Sequence, residues 1–353
     1  MKILLLSRYG SLGASSRYRS YQYLPYLRSR GLEITVAPLL GNEYLRRLYN
    51  GESLDIRDIV SSYGRRIVRL RRRARHQLIW IEYEALPWLP SIVESLVVGT
   101  DIPYVVDYDD AVFHRYDLHR SIVVRALLKR KIDSVMRKAR VVIAGNRYLA
   151  DRAFSAGASR IEIIPSVVDL DCYPLSPKED RSGFTIGWIG SPSTQHYLTG
   201  IQLALDDICR DPLTRVVAIG ARSTPGLPAA VTVRPWSAAE ELHELQQFDV
   251  GIMPLIDSEW ERGKCGHKLI KYMACALPVV ASPVGVNGEI VSNGRNGILA
   301  GTSEEWSAAL MTLKQDSSLR NTMGLEGRRI VEEKYCTAVT GPRLFGVLTE
   351  AAS

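Results

Sequence analysis

Two α/β domains, each a parallel sheet wound with helices, are the fold class this sequence predicts, and three observations predict it. Short, wholly apolar runs alternate with helical stretches, as strands buried on both faces require. A strand, a glycine loop, a helix and a second strand open the chain, and the same theme restarts near residue 184. The 353 residues exceed one ordinary domain and suit two, with 46 % apolar and 24 % charged residues to build both cores.

The first strand is KILLLS, Lys2 to Ser7, followed by the loop RYGSLGASS and a helix through YRSYQYLPYLRSRG that stops at Gly31. LEITVAPL supplies the second strand. LIWIEY, YVVDYDD and VVIAG continue the apolar series, with a helix predicted over Ile122 to Arg137 before the last of them. IEIIPSVVDLDCYPL then runs into LSPKEDRSG, whose Pro, Ser, Lys and Asp read as a linker. The amino-terminal domain is therefore placed at residues 1–175 and the carboxyl-terminal domain at 176–335. Residues 336–353 form a final segment free to pack back on the first domain. In the second half FTIGWIGS, TRVVAIGA, DVGIMPL, PVVASPVG and GILAG read as strands. HYLTGIQLALDDIC, AAEELHELQQF, HKLIKYMACA, SEEWSAALMTLKQ and SLRNTMGLEGRRIVEEKY read as helices. Ligands of such sheets bind beyond the carboxyl ends of the strands.

Composition narrows the classes. The apolar run after Lys2 is too short for a signal peptide. The longest gently apolar stretch, MACALPVVASPVGV, is broken by prolines and falls short of a bilayer span. Five cysteines, odd in number and without a CxxC, argue against a disulfide framework or a zinc site and for a reducing cytoplasm. The net charge of +7 is uneven: residues 1–175 carry 28 Lys+Arg against 18 Asp+Glu, net +10, and the remainder is net −3. The densest run is GRRIVRLRRRARHQ, Gly64 to Gln77. Three readings stand for it: a solvated helix face, an anionic membrane surface, or nucleic acid.

Three stretches carry chemistry. RYGSLGASSRYR places Gly10 and Gly13 between a strand and a helix, where backbone N–H groups can approach an anion. FTIGWIGSPSTQHY repeats that arrangement in the second half, with Gly190, Ser191, Ser193 and Thr194 after the strand; helix capping would use the same hydroxyls. ERGKCGHKLIKYMACA brings Arg262, Lys264 and Lys268 to the junction of a strand and a helix. A Lys–phosphate contact at about 4 Å contributes on the order of 4 kcal/mol at an effective dielectric near 20. Helix-end terms add at most about 2 kcal/mol, so lysine charge dominates. At the end of YVVDYDD, the crowded Asp107, Asp109 and Asp110 suit sugar hydroxyls, a general base or a capping turn. Asp107-x-Asp109 also mimics a metal-binding D-x-D.

KLIKYMACALPVVASPVGVNGEIVSNGRNGILA resembles the carboxyl-half signature of family 4 glycosyltransferases of the GT-B fold, the glycosyl transferases group 1. There a helix ending in M-A-x-G-x-P-V-V precedes G-x-x-E-[IV]-V and N-G-x-L. IPSVVDLDCYPL is similar to the family's hinge motif I-P-N-G-V-D-x-x-x-[FY]-x-P, with Ser166 for Asn and Val167 for Gly. The amino-terminal strand, loop and helix are similar too, so the resemblance runs from residue 3 to about 335. It implies two doubly wound Rossmann-like domains facing a central cleft. The first would take an acceptor (a glycan, a lipid-linked glycan or lipopolysaccharide) and the second a nucleotide sugar.

The departures from the family pattern shape the expected site. The two glutamates of the family's E-x7-E fall here on Gly263 and Lys271, with Glu259 and Glu261 nearby. The Arg and Lys that follow the family's G-R loop are replaced by Ser191 to His196. The resemblance then implies a relocated diphosphate clamp: Gly13, Gly190, Ser191, Arg262, Lys264, Cys265, Gly266, His267, Lys268 and Lys271 bind the donor. Asp109 aligns with the family's strand-end His and Asp110 with its Asp, and these two with Lys268 are the expected catalytic residues. A branch of the family with W-I-G-S-P-S-T and E-R-G-K-C loops fits this pattern. Expected in consequence are a retaining transfer without metal or other cofactor, in bacterial polysaccharide or lipopolysaccharide assembly. The setting is the cytoplasm, with the basic amino half peripheral to an anionic membrane and no nucleic acid bound. The alternatives are a nucleotide-sugar epimerase of the same fold and a basic nucleic-acid-binding protein.

Overall fold

The computed structural model describes residues 1–175, 182–223 and 226–353. Its contacts divide the chain into two compact units: residues 1–166, 262–265 and 337–353 form the first, and 167–261 with 266–336 the second. The expected division at 175/176 is therefore corrected to 166/167, inside the stretch matched to the family's hinge. The physical reason is packing: Val168 and Tyr173 are buried in the second unit's core, and Val168 bridges Cys336. Most of the expected linker lies outside the described residues.

The first unit is built on a six-stranded parallel sheet in the order β2-β1-β3-β4-β5-β6. The strands are β1 Lys2–Leu6, β2 Glu33–Val36, β3 Leu78–Glu82, β4 Tyr104–Tyr108, β5 Val141–Ala144 and β6 Ile161–Ile163. Leu4, Leu6, Ile79, Ile81, Val106, Val142 and Ala144 face one core. On this sheet the helix Thr337–Ala352 packs against β3 and β4, burying Leu344 and Leu348. The inner strands β1, β3 and β5 are buried almost throughout, which is why they read as apolar runs.

The predicted helix over 122–137 is two helices, Ile122–Leu128 and Lys131–Lys138. The break accompanies the inward turn of Lys131, whose buried ammonium lies 2.6 Å from Glu84 and 3.2 Å from Glu94. A straight amphipathic helix would not need to deliver a charge to the core.

The second unit repeats the architecture in the order β12-β11-β10-β7-β8-β9. Its strands are β7 Phe184–Ile189, β8 Thr214–Ile219, β9 Val231–Arg234, β10 Val250–Met253, β11 Val279–Ala281 and β12 Gly297–Leu299. Counted from β7, this is the 3-2-1-4-5-6 order of the dinucleotide-binding fold. Alternate residues of β8 enter opposite cores: Val217 and Ile219 join the helix His267–Ala274, while Val216 and Ala218 join helices Gln202–Ile208 and Ser303–Gln315. The first half of HYLTGIQLALDDIC is 3-10 helix, Gln195–Ile201, and only the second half is α-helical.

Candidate functional site

In a doubly wound sheet the strand order reverses at one point, and the loops leaving the carboxyl ends on either side of it diverge to leave a crevice. In the second unit β7 and β10 are the neighbours at that reversal. The loop after β7 starts at Gly190, whose N–H donates to Ile219 across the sheet. A Cβ at Gly190 would lie 2.2 Å from the Trp188 ring, so only glycine lets the chain turn there. Ser191 N–H donates to Thr194 Oγ1 at 3.1 Å, and the Ser191 and Ser193 hydroxyls are paired at 2.8 Å. Residues 191–194 thus form a self-closed hydroxyl turn.

The chain after β10 returns through Glu259–Arg262 to the helix His267–Ala274. Gly266 caps that helix in the left-handed region, φ 63°, which costs an L side chain on the order of 1 kcal/mol. In the first turn Lys268 holds its ammonium 4.2 Å from the centroid of the buried Trp188 ring, a cation–π contact that anchors it beside the β7 loop. Gly190, Ser191, Gly266, His267 and Lys268 are thereby gathered at one reversal point, on elements joined by Tyr272. That hydroxyl accepts from Ile189 N–H at 2.9 Å and donates to the Ile252 carbonyl at 3.3 Å.

Lys271 departs from the expected donor set. It is buried, with its ammonium 2.7 Å from Glu241. Glu241 in turn accepts from Trp236 Nε1 at 2.6 Å and the Tyr173 hydroxyl at 3.1 Å. A lysine on the inner face of the helix needs a buried counter-charge, and Glu241 supplies it. Glu261 is likewise committed within the fold, accepting from the hydroxyls of Tyr197 and Ser258.

Arg262, Lys264 and Cys265 belong to the first unit, so the expected clamp is not one cluster within one unit. Asn146 fastens them: its Nδ2 donates to the carbonyls of Gly263 and Lys264, each at 3.0 Å, while its Oδ1 caps the helix Arg147–Ser155. The Cys265 thiol is buried in the first core, where burial holds its pKa well above the ordinary range. Its side chain packs within that core. A Cβ at Gly263 would lie 2.4 Å from that of Ala111, so the family's glutamate has no room at this position. Lys264 instead faces Asp110, 3.9 Å from its carboxylate.

Gly13 lies at the carboxyl end of β1 in the first unit. Its N–H is taken by the Gly10 carbonyl, and a Cβ there would strike Tyr9 at 2.4 Å. The helix that follows, Ala14–Arg19, is only six residues long.

Along the carboxyl ends of β3 and β4 stands a set of acids larger than the sequence suggested. Glu82 accepts from Arg8 N–H at 2.8 Å and the Ser16 hydroxyl at 2.6 Å, and burial raises its carboxyl to about 7. Asp107 is paired in the interior with Arg19 at 2.8 Å, so Asp107-x-Asp109 does not present two open carboxylates. Asp109 accepts from the hydroxyl of Tyr83, a residue held at φ 63°. Burial raises the carboxyls of Asp109 and Asp110, opposed by the charges of Arg19 and Lys264 respectively. Carboxylates poised this way can accept a proton or bind hydroxyls. Sequence reading missed Glu82, Tyr83 and Arg19. The available signal was the pair Glu82 and Glu84 straight after the buried run LIWI.

Two parallel Rossmann-like sheets in this arrangement are the α/β architecture of GT-B glycosyltransferases. Comparison with known proteins agrees: residues 185–316 match the family described as Glycosyl transferases group 1. D-inositol 3-phosphate glycosyltransferase of Paenarthrobacter aurescens is 35 % identical over 102 residues, 28 % of this chain and 24 % of the relative. The enzyme of that name from Rhodococcus opacus is 25 % identical over 211 residues, 51 % of this chain and 46 % of the relative. The chain thus matches less than half the length of these curated relatives. Among solved structures, Anabaena HepE in complex with UDP-glucose superposes with a TM-score of 0.73 at 17 % identity, covering 99 % of this chain and 100 % of that one. Sucrose-phosphate synthase of Thermosynechococcus elongatus gives 0.73 at 15 % identity, with 100 % of each chain covered. At such identities the likeness is one of fold.

Proposed function

We propose that the protein is a glycosyltransferase that moves a sugar from a nucleoside-diphosphate sugar to an acceptor hydroxyl, with retention at the anomeric carbon. The observation that carries the reading is the reversal point of the second unit, where the self-closed Gly190–Thr194 turn and the Lys268 ammonium stand together over Trp188. HepE, whose structure holds UDP-glucose, supports a nucleotide sugar as the ligand class. In this reading the diphosphate rests on residues 186–300, and Lys268 offsets the charge that develops on the leaving group, with backbone N–H groups of the loops assisting. Asp109 and Asp110 bind or deprotonate the acceptor hydroxyl on the first unit, with the Lys264 charge opposing the burial that raises the second carboxyl. The epimerase and nucleic-acid readings gain nothing from the relatives named above. Titration calorimetry with UDP, GDP, ADP and TDP tests the proposal: one of them binds below millimolar, and failure of all four overturns it.

Transfer is expected to need no metal or other cofactor, with Lys268 and the loop N–H groups serving the diphosphate. Turnover should survive EDTA; loss on chelation, restored by Mg²⁺ or Mn²⁺, would count against the lysine-centred arrangement. We place the reaction in the assembly of a surface polysaccharide, lipopolysaccharide or lipid-linked glycan, on the cytoplasmic side of an anionic membrane. The net charge of +10 over residues 1–175 supports that setting. No helix among the described residues is long and apolar enough to cross a membrane.

A further inference from the structure

The arginine run that suggested a lipid surface is only partly available to one. Arg66 is buried, donating to the Ser7 carbonyl at 2.6 Å and the Ala37 carbonyl at 3.0 Å, and Arg73 is paired with Asp101. A different face of the first unit carries the stronger signal. On the helix Ser91–Val98, Ile92 and Leu96 are 68 % and 78 % exposed. On the helix Ile122–Leu128, Ile122, Val123 and Leu127 are 71 %, 61 % and 68 % exposed.

The second helix is amphipathic in the inverted sense. Its solvent stripe is apolar, while Leu128 is buried and Arg125 folds back to the carbonyls of His119 and Arg120. Residues flanking the two helices tie them together. Trp88, just before the first and half-exposed, sets its ring edge-on to Tyr116 at 5.2 Å and to His119 at 5.9 Å, just before the second. Lys131, just past the second, pairs with Glu94 on the first. Trp88 is held at φ 62°, a conformation a bulky side chain rarely adopts.

Charge says what covers this face. From Leu118 to Ile132 the chain reads LHRSIVVRALLKRKI, without one acid, and Arg120, Lys129 and Arg130 are exposed around the apolar stripe. The acids packed nearby are spent internally: Asp117 on His114 and Arg152, Asp133 on Arg152, and Glu94 on Lys131. Aliphatic side chains, a tryptophan and a cationic rim are the composition that settles at the headgroup–acyl boundary of an anionic membrane.

We propose that this face enters the interface of an anionic bilayer, with Trp88, Ile92, Leu96, Ile122, Val123 and Leu127 embedded and Arg120, Lys129 and Arg130 on lipid phosphates. The inference rests on the membrane setting proposed above and names the surface that achieves it. Attachment is then part apolar and part electrostatic, so salt weakens it without abolishing it.

The test is flotation of the full chain with vesicles of phosphatidylcholine, alone or mixed with phosphatidylglycerol. Wild type should float with the mixed vesicles at low and, less completely, at high salt. The triple variant Ile122→Ser, Val123→Ser, Leu127→Ser alters only exposed side chains, so its melting temperature should be unchanged while its partitioning falls more than about tenfold. Quenching of tryptophan fluorescence by brominated lipid should drop in Trp88→Phe. If wild type does not float at all, the membrane setting itself fails. If it floats and the triple variant floats equally, the setting stands and this face is overturned. A wild-type dimer in solution that the triple variant converts to a monomer, with no flotation by either, would instead make the face a contact between two copies.

Discussion

Lys268 and Lys271 lie one turn apart on the same helix, yet their surroundings differ: Lys271 is buried against Glu241, and Lys268 stands over Trp188, where the proposed function uses it. Lys271→Ala leaves Glu241 buried without its cation, which costs about 3–5 kcal/mol of stability. Lys268→Ala removes a cation from the rim of the reversal point, and the fold should barely notice. Loss of charge at the leaving group should instead lower kcat/KM by about 10²–10³-fold, the scale of one removed oxyanion donor. Urea midpoints and steady-state kinetics on both variants check this, and a stable Lys271→Ala with raised KM would return that lysine to the donor set. Glu82 makes a second residue-level prediction. Its folded carboxyl titrates near 7 against an ordinary 4.5, so the folded state holds its proton more tightly. The resulting stabilisation is complete below pH about 4.5 and is lost as pH rises through about 7, on the order of 3 kcal/mol in all. Glu82→Gln should flatten that stretch of the stability–pH curve, read from denaturant midpoints near pH 5 and pH 8; an unchanged slope would mean Glu82 is ionised throughout. The aspartates at the end of YVVDYDD were legible because carboxylates after a buried run must lie at a strand end. The role of Lys271 was not, because its partner Glu241 sits on another element and nothing in KLIKYMACA announces it.

Among elements, most strands were legible; β9, which was not foreseen, is only partly buried, so VTVR carries no apolar run. A run buried on both faces is apolar throughout, and all five strands expected in the second unit are present. Where a charged residue is drawn inward, periodicity misleads, as in the break before Lys131 and in the basic run, whose helix is Ile56–Arg71 with Arg66 turned to the core. The carboxyl-half loops were legible as glycine positions but not as geometry. Sequence placed Gly266 in a cationic turn; the fold shows it to be the pivot that starts the helix carrying Lys268. Gly266→Ala would hold an L residue at φ 63° and set its Cβ 2.3 Å from Ile290 Cδ1. The cost should be about 1–3 kcal/mol, from the left-handed conformation and the displaced methyl together. Because the first turn must shift to relieve it, nucleotide affinity should fall alongside the melting temperature. An unchanged melting temperature would show that the turn is not under this constraint.

At the scale of the whole chain, the two units were legible but their composition was not. A Pro/Ser/Lys/Asp stretch marked the crossing between halves, and a final segment from residue 336 was expected to be free to pack back. The first unit gathers residues 337–353 and also 262–265, a return that was not foreseen. Composition marks where a linker can be; it carries no signal for a segment that returns, because the return is fixed by cores the two ends build together. Residues 337–353 supply the helix over β3 and β4, with Leu344 and Leu348 buried, the Thr340 hydroxyl 2.8 Å from that of Tyr23, and Arg343 on the Ile163 carbonyl at 3.0 Å. Residues 262–265 add Cys265 to the core and two carbonyls to Asn146. A fragment ending at 175 therefore loses the cover that this helix gives β3 and β4. Two buried leucines alone represent about 3–6 kcal/mol of lost transfer free energy, comparable with the whole stability of a domain this size. Expressed by itself, residues 1–175 should bind a hydrophobic dye and melt without cooperativity. The same fragment with residues 337–353 joined through a flexible glycine–serine linker should recover a cooperative transition, because the linker costs only the slow logarithmic entropy of loop closure. If the bare fragment unfolds as cooperatively as the joined one, the returning helix is an ornament and the division at Ser166 loses its physical basis.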